Sequence, residues 1–300
     1  MPHTDTDKAD GNAHPMMSVA FVTPTFTPDL GRCELLVESL DRFAPETRHY
    51  LLIDSHEIGK FKHLASARTI IVPSEEVIDS RFTRLPGARG FWVSWRTPPV
   101  RGWIMQQLRK LASPKVVTED VIICVDSDTA FVRPFTRDLA FEGAKIGLLD
   151  VDYVEGMVPR WTSIAAGLIG IDPVTCPLRG HVGHFIAWSR QHLLALHERI
   201  ETTSDLPWQV AIARKTTFSE YILYGTYIRC LLGYDASDHA PATKALVRQP
   251  WNHDLSDQAI LRNYIAEPEP DNIAVMIHSK FQISAARLRP IFEQSWKQYP

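Results

Sequence analysis

The sequence predicts an α/β fold, in which a parallel sheet is covered by helices and the C-terminal half is more helical. Apolar runs typical of strands occupy residues 18–22, 50–53, 69–72 and 121–125. Helical patterns, in which apolar residues recur every three or four positions, separate these runs at 35–43 and 102–111. Because strand and helix patterns alternate at this spacing, the strands are expected to run parallel.

Composition limits the class of protein. The chain has 300 residues, of which 45% are hydrophobic, and this is enough for a large core. A net charge of −3 without a run of lysines argues against a nucleic-acid partner. Residues 1–16 are polar and lack the apolar segment of a signal peptide, and no later stretch resembles a membrane span. We expect a disordered tail over 1–16 and a single domain over 17–300, in a soluble cytoplasmic protein.

The four cysteines are Cys33, Cys124, Cys176 and Cys230, and no two stand at the spacing of metal ligands. Cys124 lies within the fourth predicted strand, where a small apolar side chain is expected. Scattered cysteines favour a reducing compartment, in agreement with the cytoplasm.

The first strand is followed by Thr23-Pro24-Thr25, which begins a loop too rich in proline to continue a strand. The helix over 35–43 then leads to the second strand, which ends at Asp54. Both polar segments therefore follow strands directly, at the edge where open α/β sheets bind ligands.

Residues 81–101 are rich in proline, glycine and arginine, which predicts a long and partly ordered loop. The helix over 102–111 follows, and it begins with Gly102 and Trp103. Its residues Gln106 and Lys110 are four apart and share one helix face, which is either solvated or turned toward a ligand.

The most informative segment is Asp126-Ser127-Asp128, which follows the apolar strand over 121–125. A β-branched apolar run of this kind is typical of a strand buried on both faces. Two carboxylates at its end repel each other unless bases or a cation lie between them, and a divalent metal carrying a phosphate ester is the favoured occupant. The alternative is that both carboxylates cap turns after a core strand. A similar pair, Asp150 and Asp152, follows another apolar run.

In the C-terminal half, helical patterns appear around 193–200, 208–213 and 221–232, and a last strand over 274–277 ends in His278-Ser279-Lys280. If all strands belong to one sheet, their polar ends could converge. Two carboxylates and an imidazole suit Mn²⁺ or Mg²⁺, and Lys280 would offer a positive charge to a diphosphate. Such a site would neutralise the charge that develops on a departing nucleoside diphosphate.

These segments, in this order, resemble a GT-A-type glycosyltransferase over about residues 17–290. The likeness rests on the Thr-Pro-Thr loop, Asp54, the Gly-Trp-x-x-Gln-Gln-x-x-Lys-Leu helix at 102–111, Asp126-Ser127-Asp128 and His278-Ser279-Lys280. More narrowly, Trp188-Ser189-Arg190 and the Phe-Ser-Glu-Tyr-Ile-Leu-Tyr-Gly block at 218–225 are similar to a bacterial family of uncharacterised, glycosyltransferase-like proteins. The resemblance implies a GT-A-like, Rossmann-type mixed sheet flanked by helices.

The resemblance also implies roles for single residues. Thr23, Pro24 and Asp54 would hold the base and ribose of the donor. Asp126 would act through the metal or the ribose, Asp128 would bind Mn²⁺ or Mg²⁺ directly, and His278 would be the third ligand. The full nucleotide-sugar set is Thr23, Pro24, Thr25, Asp54, Trp103, Gln106, Lys110, Asp126, Ser127 and Lys280. The donor would be a UDP- or GDP-sugar, and the acceptor a carbohydrate, a lipid-linked molecule or another small molecule.

Glu220 is the candidate catalytic carboxylate, as a base near the acceptor hydroxyl or a group beside the anomeric carbon. The alternative is a capping box, in which Thr217 caps a helix and Glu220 bonds back to the N–H of the cap. Tyr221, Tyr224 and Tyr227 could line a sugar site beside it.

Two other functions stay open at this point. A haloacid-dehalogenase-type phosphatase also carries Asp-x-Asp after an apolar strand, although there the motif stands near the N-terminus and a Thr or Val usually occupies the position of Ala130. A nucleotide- or carbohydrate-binding module without turnover would keep the same site. His181 and His184 favour loop or acceptor contacts over a zinc site, because no cysteine pair or third histidine stands nearby.

Overall fold

The computed structural model describes residues 17–85, 90–152, 154–251 and 253–298. The predicted tail over 1–16 lies outside this part of the chain. The strands are β1 Val19–Pro24, β2 Arg48–Ile53, β3 Thr69–Pro73, β4 Thr83–Arg84, β5 Phe91–Ser94, β6 Thr97–Arg101, β7 Val121–Cys124, β8 Thr129–Phe131, β9 Phe141–Glu142, β10 Lys145–Leu149, β11 Ile186–Ser189, β12 His239–Ala242, β13 Val247–Arg248 and β14 Ala274–Met276. The helices are α1 Leu30–Phe43, α2 Ile58–Phe61, α3 Gly102–Ala112, α4 Val158–Ile169, α5 Arg190–Ser204, α6 Trp208–Ala213, α7 Glu220–Thr226, α8 Gln258–Ala266 and α9 Ala285–Trp296.

The central sheet has five strands in the order β11-β7-β1-β2-β3. β7, β1, β2 and β3 run parallel, whereas β11 pairs antiparallel with β7. The chain builds outward from β1 through β2 and β3 and then returns to the other side of β1 with β7. The predicted mixed, Rossmann-type sheet flanked by helices is confirmed, and its strand order reverses between β1 and β7.

Side chains of the central strands alternate between two apolar layers, as the two-residue period of a strand requires. From β7, Ile122 and Cys124 enter one layer, which includes residues of α3, α4, α5 and α7. Val121 and Ile123 enter the other, which includes residues of α1, α8 and α9. β7 is therefore buried on both faces, and Cys124 is the small apolar core residue that its position predicted.

Three smaller sheets have three strands each, in the orders β12-β10-β9, β13-β14-β8 and β4-β5-β6. The last of these corrects the prediction of a loop over 81–101, because most of that segment forms an antiparallel meander. Paired partners across the strands satisfy the backbone here, so a composition rich in proline and arginine did not prevent pairing.

The predicted strand over 274–277 corresponds to β14, which belongs to a different sheet from β1 and β7. It pairs antiparallel with β8, the strand that directly follows Asp128. The expectation that all these strands belong to one sheet is therefore wrong. Antiparallel pairing with β8 nevertheless brings the end of β14 close to Asp128.

The helices predicted in the C-terminal half are present as α5, α6 and α7, and α7 continues as a π-helical segment, Tyr227–Leu232. The sequence patterns did not predict α4 or strand β11. Among the residues described, no helix is long and apolar enough to cross a membrane.

Cys176 and Cys230 form a disulfide, with their Cα atoms 5.6 Å apart. Cys33 and Cys124 are free and buried. The bridge joins positions 54 residues apart in sequence, so spacing along the chain did not reveal it. Because disulfides are rare in reducing compartments, the cysteines no longer support a reducing compartment. The cytoplasmic location stays a prediction.

Gly225 of α7 lies against the ring of His181, and a Cβ at this position would be 2.3 Å from His181 Cδ2. The ring cannot move away freely, because His181 Nδ1 lies 2.7 Å from the carbonyl oxygen of Leu149. We expect Gly225→Ala to destabilise the fold by about 1–3 kcal/mol, the usual cost of overpacking. Urea unfolding would measure the change.

Gly167 of α4 is the matched control, because a Cβ there meets nothing within 4 Å. Gly167→Ala should stabilise the protein by about 0.5–1 kcal/mol, since alanine favours the helix. Equal effects of the two substitutions would contradict the assigned contact between Gly225 and His181.

The buried His197 predicts a loss of stability in mild acid. Burial lowers the pKa of His197 to about 4, and its ring stacks on Trp208 with the centroids 3.9 Å apart. An unfolded histidine takes up a proton below about pH 6.5, so this stabilising contribution is present above that pH and is lost as the pH falls toward 4. His197→Gln should reduce the slope of unfolding free energy between pH 6 and 5 by about 1 kcal/mol per pH unit.

Urea titrations at several pH values would give that slope. The exposed His63, which pairs with Glu34 at 2.9 Å, offers the control His63→Gln. If both variants changed the slope equally, His197 would not be the buried neutral group described.

Candidate functional site

The candidate site lies where the strand order of the central sheet reverses. The carboxyl ends of β1 and β7 are neighbours there, since Val22 aligns with Cys124 and Val125 N donates to Val22 O at 3.1 Å. Open α/β sheets bind ligands in the crevice at such a point. Asp126-Ser127-Asp128 begins directly beyond it.

A tight turn holds the two aspartates between β7 and β8. Thr129 N donates to Asp126 O at 3.1 Å, and Ile277 N donates to Asp128 O at 2.9 Å. The backbone of the motif is thus bonded both within the turn and to the segment after β14. The positions of the two carboxylates are therefore set by the pairing of both sheets.

Asp126 has a protein partner on each side. Lys110 Nζ lies 2.7 Å from one carboxylate oxygen, and His184 Nδ1 lies 3.3 Å from the other. Burial alone would raise the pKa of Asp126, but the Lys110 ammonium and His184 outweigh it and hold the pKa well below its usual range. Asp126 is therefore a stable anion.

Asp128 lacks such neutralisation. Its Oδ1 atom is buried and has no hydrogen-bond partner among the described residues. Burial and the negative charge of Asp126 raise the pKa of Asp128 to about 7. A cation between the two carboxylates would restore the charged form of Asp128.

Lys110 links Asp126 to Glu220. Its ammonium is 3.2 Å from Glu220 Oε1 and donates to Tyr221 Oη at 2.8 Å. The side chain is 4% exposed, so this charge is held inside the protein. Burial lowers the pKa of Lys110, but the neighbouring Asp126, Tyr221 and Glu220 raise it well above its usual value. The alternative of a solvated face for Lys110 is therefore wrong.

The capping-box alternative for Glu220 is also wrong. Ser219 is the N-cap of α7, with its hydroxyl accepting from Ile222 N at 3.4 Å, so Glu220 is the first residue of the helix. Glu220 N donates to Gln107 Oε1 at 3.0 Å, and its buried carboxylate points to Lys110. Thr217, the expected cap, instead accepts from Trp161 Nε1 at 2.9 Å.

The residues at the end of β1 are buried. β1 continues through Pro24 instead of ending at residue 22, and Thr23 donates to Val125 O at 2.7 Å. His49 Nε2 lies 2.9 Å from the same hydroxyl. Thr23 therefore holds β1, β2 and β7 together, while Thr25 is buried just beyond the strand. Ser127 is buried beside Asp126.

Asp54 is buried at the end of β2, where Arg109 and Arg84 pair with its two oxygens, the latter at 3.4 Å. Asp54, His56 and Glu57 are the only trio in the described chain whose metal-ligand atoms all lie within 4.8 Å of one another. Two guanidinium groups already neutralise Asp54, however, so this trio is a poorer cation site than the uncompensated Asp128.

His278 and Lys280 arrive at the site after β14. His278 Nδ1 accepts from Lys280 N at 3.0 Å, which leaves Nε2 available to a ligand. The ring of Trp251 lies 5.4 Å from the ring of His278 and 6.4 Å from that of His184. Because His184 pairs with Asp126, Trp251 links this segment to the aspartate. Lys280 Nζ lies 4.1 Å over the same tryptophan ring.

Asp126, Asp128 and His278 fit a divalent cation by donor chemistry, since carboxylate oxygens and imidazole suit Mn²⁺ and Mg²⁺. The observation that favours a cation is the buried Asp128 Oδ1 atom, which has no hydrogen-bond partner among the described residues. In the present conformation the three groups stand further apart than the Asp54 trio. They would have to approach one another around the ion.

Trp103 and Gln106 lie at the rim, on the first turns of α3. Trp103 is 47% exposed, and Gln106 is partly exposed. Trp103 is therefore only partly packed against the protein. Its ring centroid lies 6.3 Å from that of Trp161 of α4.

Sequence reasoning missed Asp29 and Gln107. Asp29 precedes α1, burial raises its pKa, and both Asp126 and Ser127 influence it. The only sequence feature that could have indicated Asp29 was its position just beyond β1 and directly before a helix. Gln107 follows Gln106 in the recognised motif, and helical spacing alone did not show that Gln107 would contact α7.

Asp150 and Asp152 differ from the first pair in their partners. Asp150 bonds to Arg179 and Tyr234 and lies 3.5 Å from Arg229, and Asp152 pairs with Arg179. Basic groups thus surround this pair in place of a ligand.

Comparison with solved structures gives similarity to glycosyltransferases. The match to the galactosyltransferase LgtC, in complex with donor and acceptor sugar analogs, covers 92% of this chain and 95% of that chain. The two are 12% identical, with a TM-score of 0.49. The match to the glycosyltransferase GlyE of Streptococcus pneumoniae TIGR4 covers 93% of this chain and 60% of that chain, at 14% identity and a TM-score of 0.48. No curated protein matches by sequence. The model of a family of unknown function, DUF6492, matches residues 16–286, and the chain belongs to this family.

Proposed function

We propose that the protein is a metal-dependent glycosyltransferase that moves a sugar from a nucleotide-sugar to an acceptor hydroxyl. The observation that carries this proposal is the half-buried Asp126 and Asp128 pair at the reversal of strand order, with only one of the two carboxylates ion-paired by protein. A crevice of this kind takes nucleotides, and the uncompensated charge takes a cation.

In the proposed reaction, the bond between the anomeric carbon and the diphosphate oxygen breaks, and its electron pair leaves with the nucleoside diphosphate. The acceptor oxygen bonds to the anomeric carbon, and its proton passes to an oxygen of the departing diphosphate. Mn²⁺ or Mg²⁺, bound by Asp126, Asp128 and His278, would neutralise charge on the diphosphate. Lys280, which is exposed beside His278, would add a point charge after leaving its contact with Trp251.

The remaining predicted donor contacts divide by what their side chains already bond to. Ser127, Thr25 and Gln106 are proposed to contact the nucleotide-sugar, with Trp103 further out at the rim. Ser127 and Thr25 are buried, and the Thr25 hydroxyl has no hydrogen-bond partner among the described residues. Thr23 and Asp54, whose side chains are already bonded, and the buried Pro24 are proposed to shape the base and ribose site from behind. A UDP- or GDP-sugar remains the proposed donor.

Glu220 is proposed to act on the transfer step through Lys110. Its carboxylate is buried and pairs with the ammonium that also pairs with Asp126. Loss of the Glu220 charge would let Lys110 settle entirely on Asp126 and compete there with the cation. Glu220 is then a positioning residue.

Asp128→Asn tests the metal site. We expect the substitution to remove Mn²⁺-dependent stabilisation by nucleotide-sugars, because a hard cation loses a charged ligand while the amide keeps the shape. Thermal unfolding with UDP-, GDP-, CMP- and dTDP-sugars, with and without Mn²⁺, measures the effect. Asp152→Asn is the matched control, since it removes the second carboxylate of the other Asp-x-Asp pair and its side chain is exposed.

An unchanged Mn²⁺-dependent shift in Asp128→Asn would refute the metal assignment. Absence of any shift in the unmodified protein would refute nucleotide-sugar binding itself. Release of phosphate from p-nitrophenyl phosphate would instead favour the phosphatase alternative. Donor hydrolysis by water in the presence of Mn²⁺ separates an enzyme from a binding module.

Glu220→Gln tests the role of the buried ion pair. Burial raises the pKa of Glu220, so a neutral amide should be tolerated and the melting temperature should stay nearly unchanged. We expect kcat for donor hydrolysis to fall roughly 100-fold, a typical loss for a group assisting catalysis. The Mn²⁺ concentration that gives half the maximal rate should rise, because Lys110 would compete with the cation at Asp126.

Glu119→Gln is the control for this experiment. Glu119 is also mostly buried and accepts from Tyr50 Oη at 3.1 Å, but it precedes β7 and so lies at the opposite edge of the sheet. Wild-type kcat in Glu220→Gln would exclude any role for this carboxylate in transfer.

A further inference from the structure

We propose that Trp103 and Trp161 form an aromatic platform for the sugar ring of a carbohydrate acceptor. This inference rests on the proposed function and narrows its acceptor from three chemical classes to one. The term aromatic platform here means the two indole rings and nothing beyond them.

The two rings belong to different helices and meet at the surface. Trp103 stands at the start of α3 and is 47% exposed, which is high for so large an apolar side chain. Its ring centroid is 6.3 Å from that of Trp161, with 38° between the planes. The indole N–H of Trp161 donates to Thr217 Oγ1 at 2.9 Å, so this ring is held in a fixed orientation.

The platform connects directly to the proposed transfer site. Gln107 follows Trp103 by one helical turn and accepts from Glu220 N at 3.0 Å. Thr217, which fixes Trp161, lies just before the N-cap of α7. At 1.5 Å per residue, Trp103 stands about 10 Å from Lys110 along the axis of α3. The platform therefore lies outside the charged cluster. Trp103 is on α3, which also carries Lys110, and Trp161 is on α4 and bonds to Thr217 near the start of α7.

The chemistry of this surface favours a sugar ring over the charged parts of the donor. The platform offers flat apolar faces, whereas the diphosphate would be drawn to the cation site and Lys280. One face of a pyranose carries several C–H groups, and these pack well on an aromatic face with its negative quadrupole. A saccharide acceptor would lie with this face on Trp103 and direct one hydroxyl toward the donor sugar at the cation site.

Saturation-transfer NMR on the full-length protein with Mn²⁺ and UDP provides a binding test that does not depend on turnover. The probes are lactose, cellobiose, chitobiose and maltose. We expect saturation transfer to ring C–H protons of at least one disaccharide, and its loss in Trp103→Ala. Trp103→Phe, which keeps an aromatic face, should retain most of the signal.

Kinetics provide the second readout, with p-nitrophenyl glycosides of the same sugars as acceptors. Trp103→Ala should raise the acceptor KM about tenfold, the size expected for loss of one aromatic contact. The matched control is Trp95→Ala. Trp95 is 79% exposed but stands at the turn between β5 and β6, at the other end of the hairpin from α3.

The outcomes separate the two proposals. Failure of every nucleotide-sugar to bind or hydrolyse would remove the proposed function itself. Donor hydrolysis with no saccharide bound, or with saccharide binding unaffected in Trp103→Ala, would overturn the platform alone. Binding of detergent or lipid micelles through Trp103 in place of saccharides would also overturn it.

Discussion

The site depends on one buried positive charge. The Lys110 ammonium lies between the carboxylates of Asp126 and Glu220, and all three groups are mostly removed from water. Removing ions from water costs several kcal/mol each unless well-placed partners offset the loss. Because the three residues belong to α3, to the turn after β7 and to α7, their pairing requires these elements to stand in one arrangement.

Backbone hydrogen bonds independently fix the same arrangement of these elements. The turn that carries Asp126 and Asp128 is bonded to β1 on one side and to the segment after β14 on the other. β8, which leaves this turn, is held by Ser39 of α1 and by the indole of Trp296, which bond to the N–H and C=O of Phe131 at 2.9 and 2.8 Å. The C-terminal helix α9 thus helps to fix the position of the carboxylates, and β14 delivers His278 and Lys280 beside them.

The two Asp-x-Asp pairs show how counter-charge separates a ligand site from a structural one. Arg179, Arg229 and Tyr234 surround Asp150, and Arg179 also reaches Asp152. Around Asp126 and Asp128 the protein supplies Lys110 and His184, and both face Asp126. The same three-residue motif is therefore closed by protein in one place and left with an unpartnered carboxylate oxygen in the other.

The sequence by itself determined the strands β1, β2, β3 and β7, the helix α3, and the position of Asp126 and Asp128 at a strand end. These features follow from local periodicity, and an apolar run buried on both faces leaves few alternatives. It did not determine that Lys110 turns inward, that Glu220 meets it, or that Arg84 and Arg109 occupy Asp54. Helical spacing says which residues share a face but not what that face contacts.

Only the tertiary structure decided the place of β14, the meander over 81–101 and the bridge between Cys176 and Cys230. Each depends on pairing between segments that are distant in sequence or that have compositions typical of loops. The roles of the charged residues were decided in the same way, because whether a buried carboxylate meets an arginine, a lysine or nothing is set by neighbours from other elements. Local sequence carries the residue types and their order, whereas the distances that turn them into a site arise only when the elements pack together.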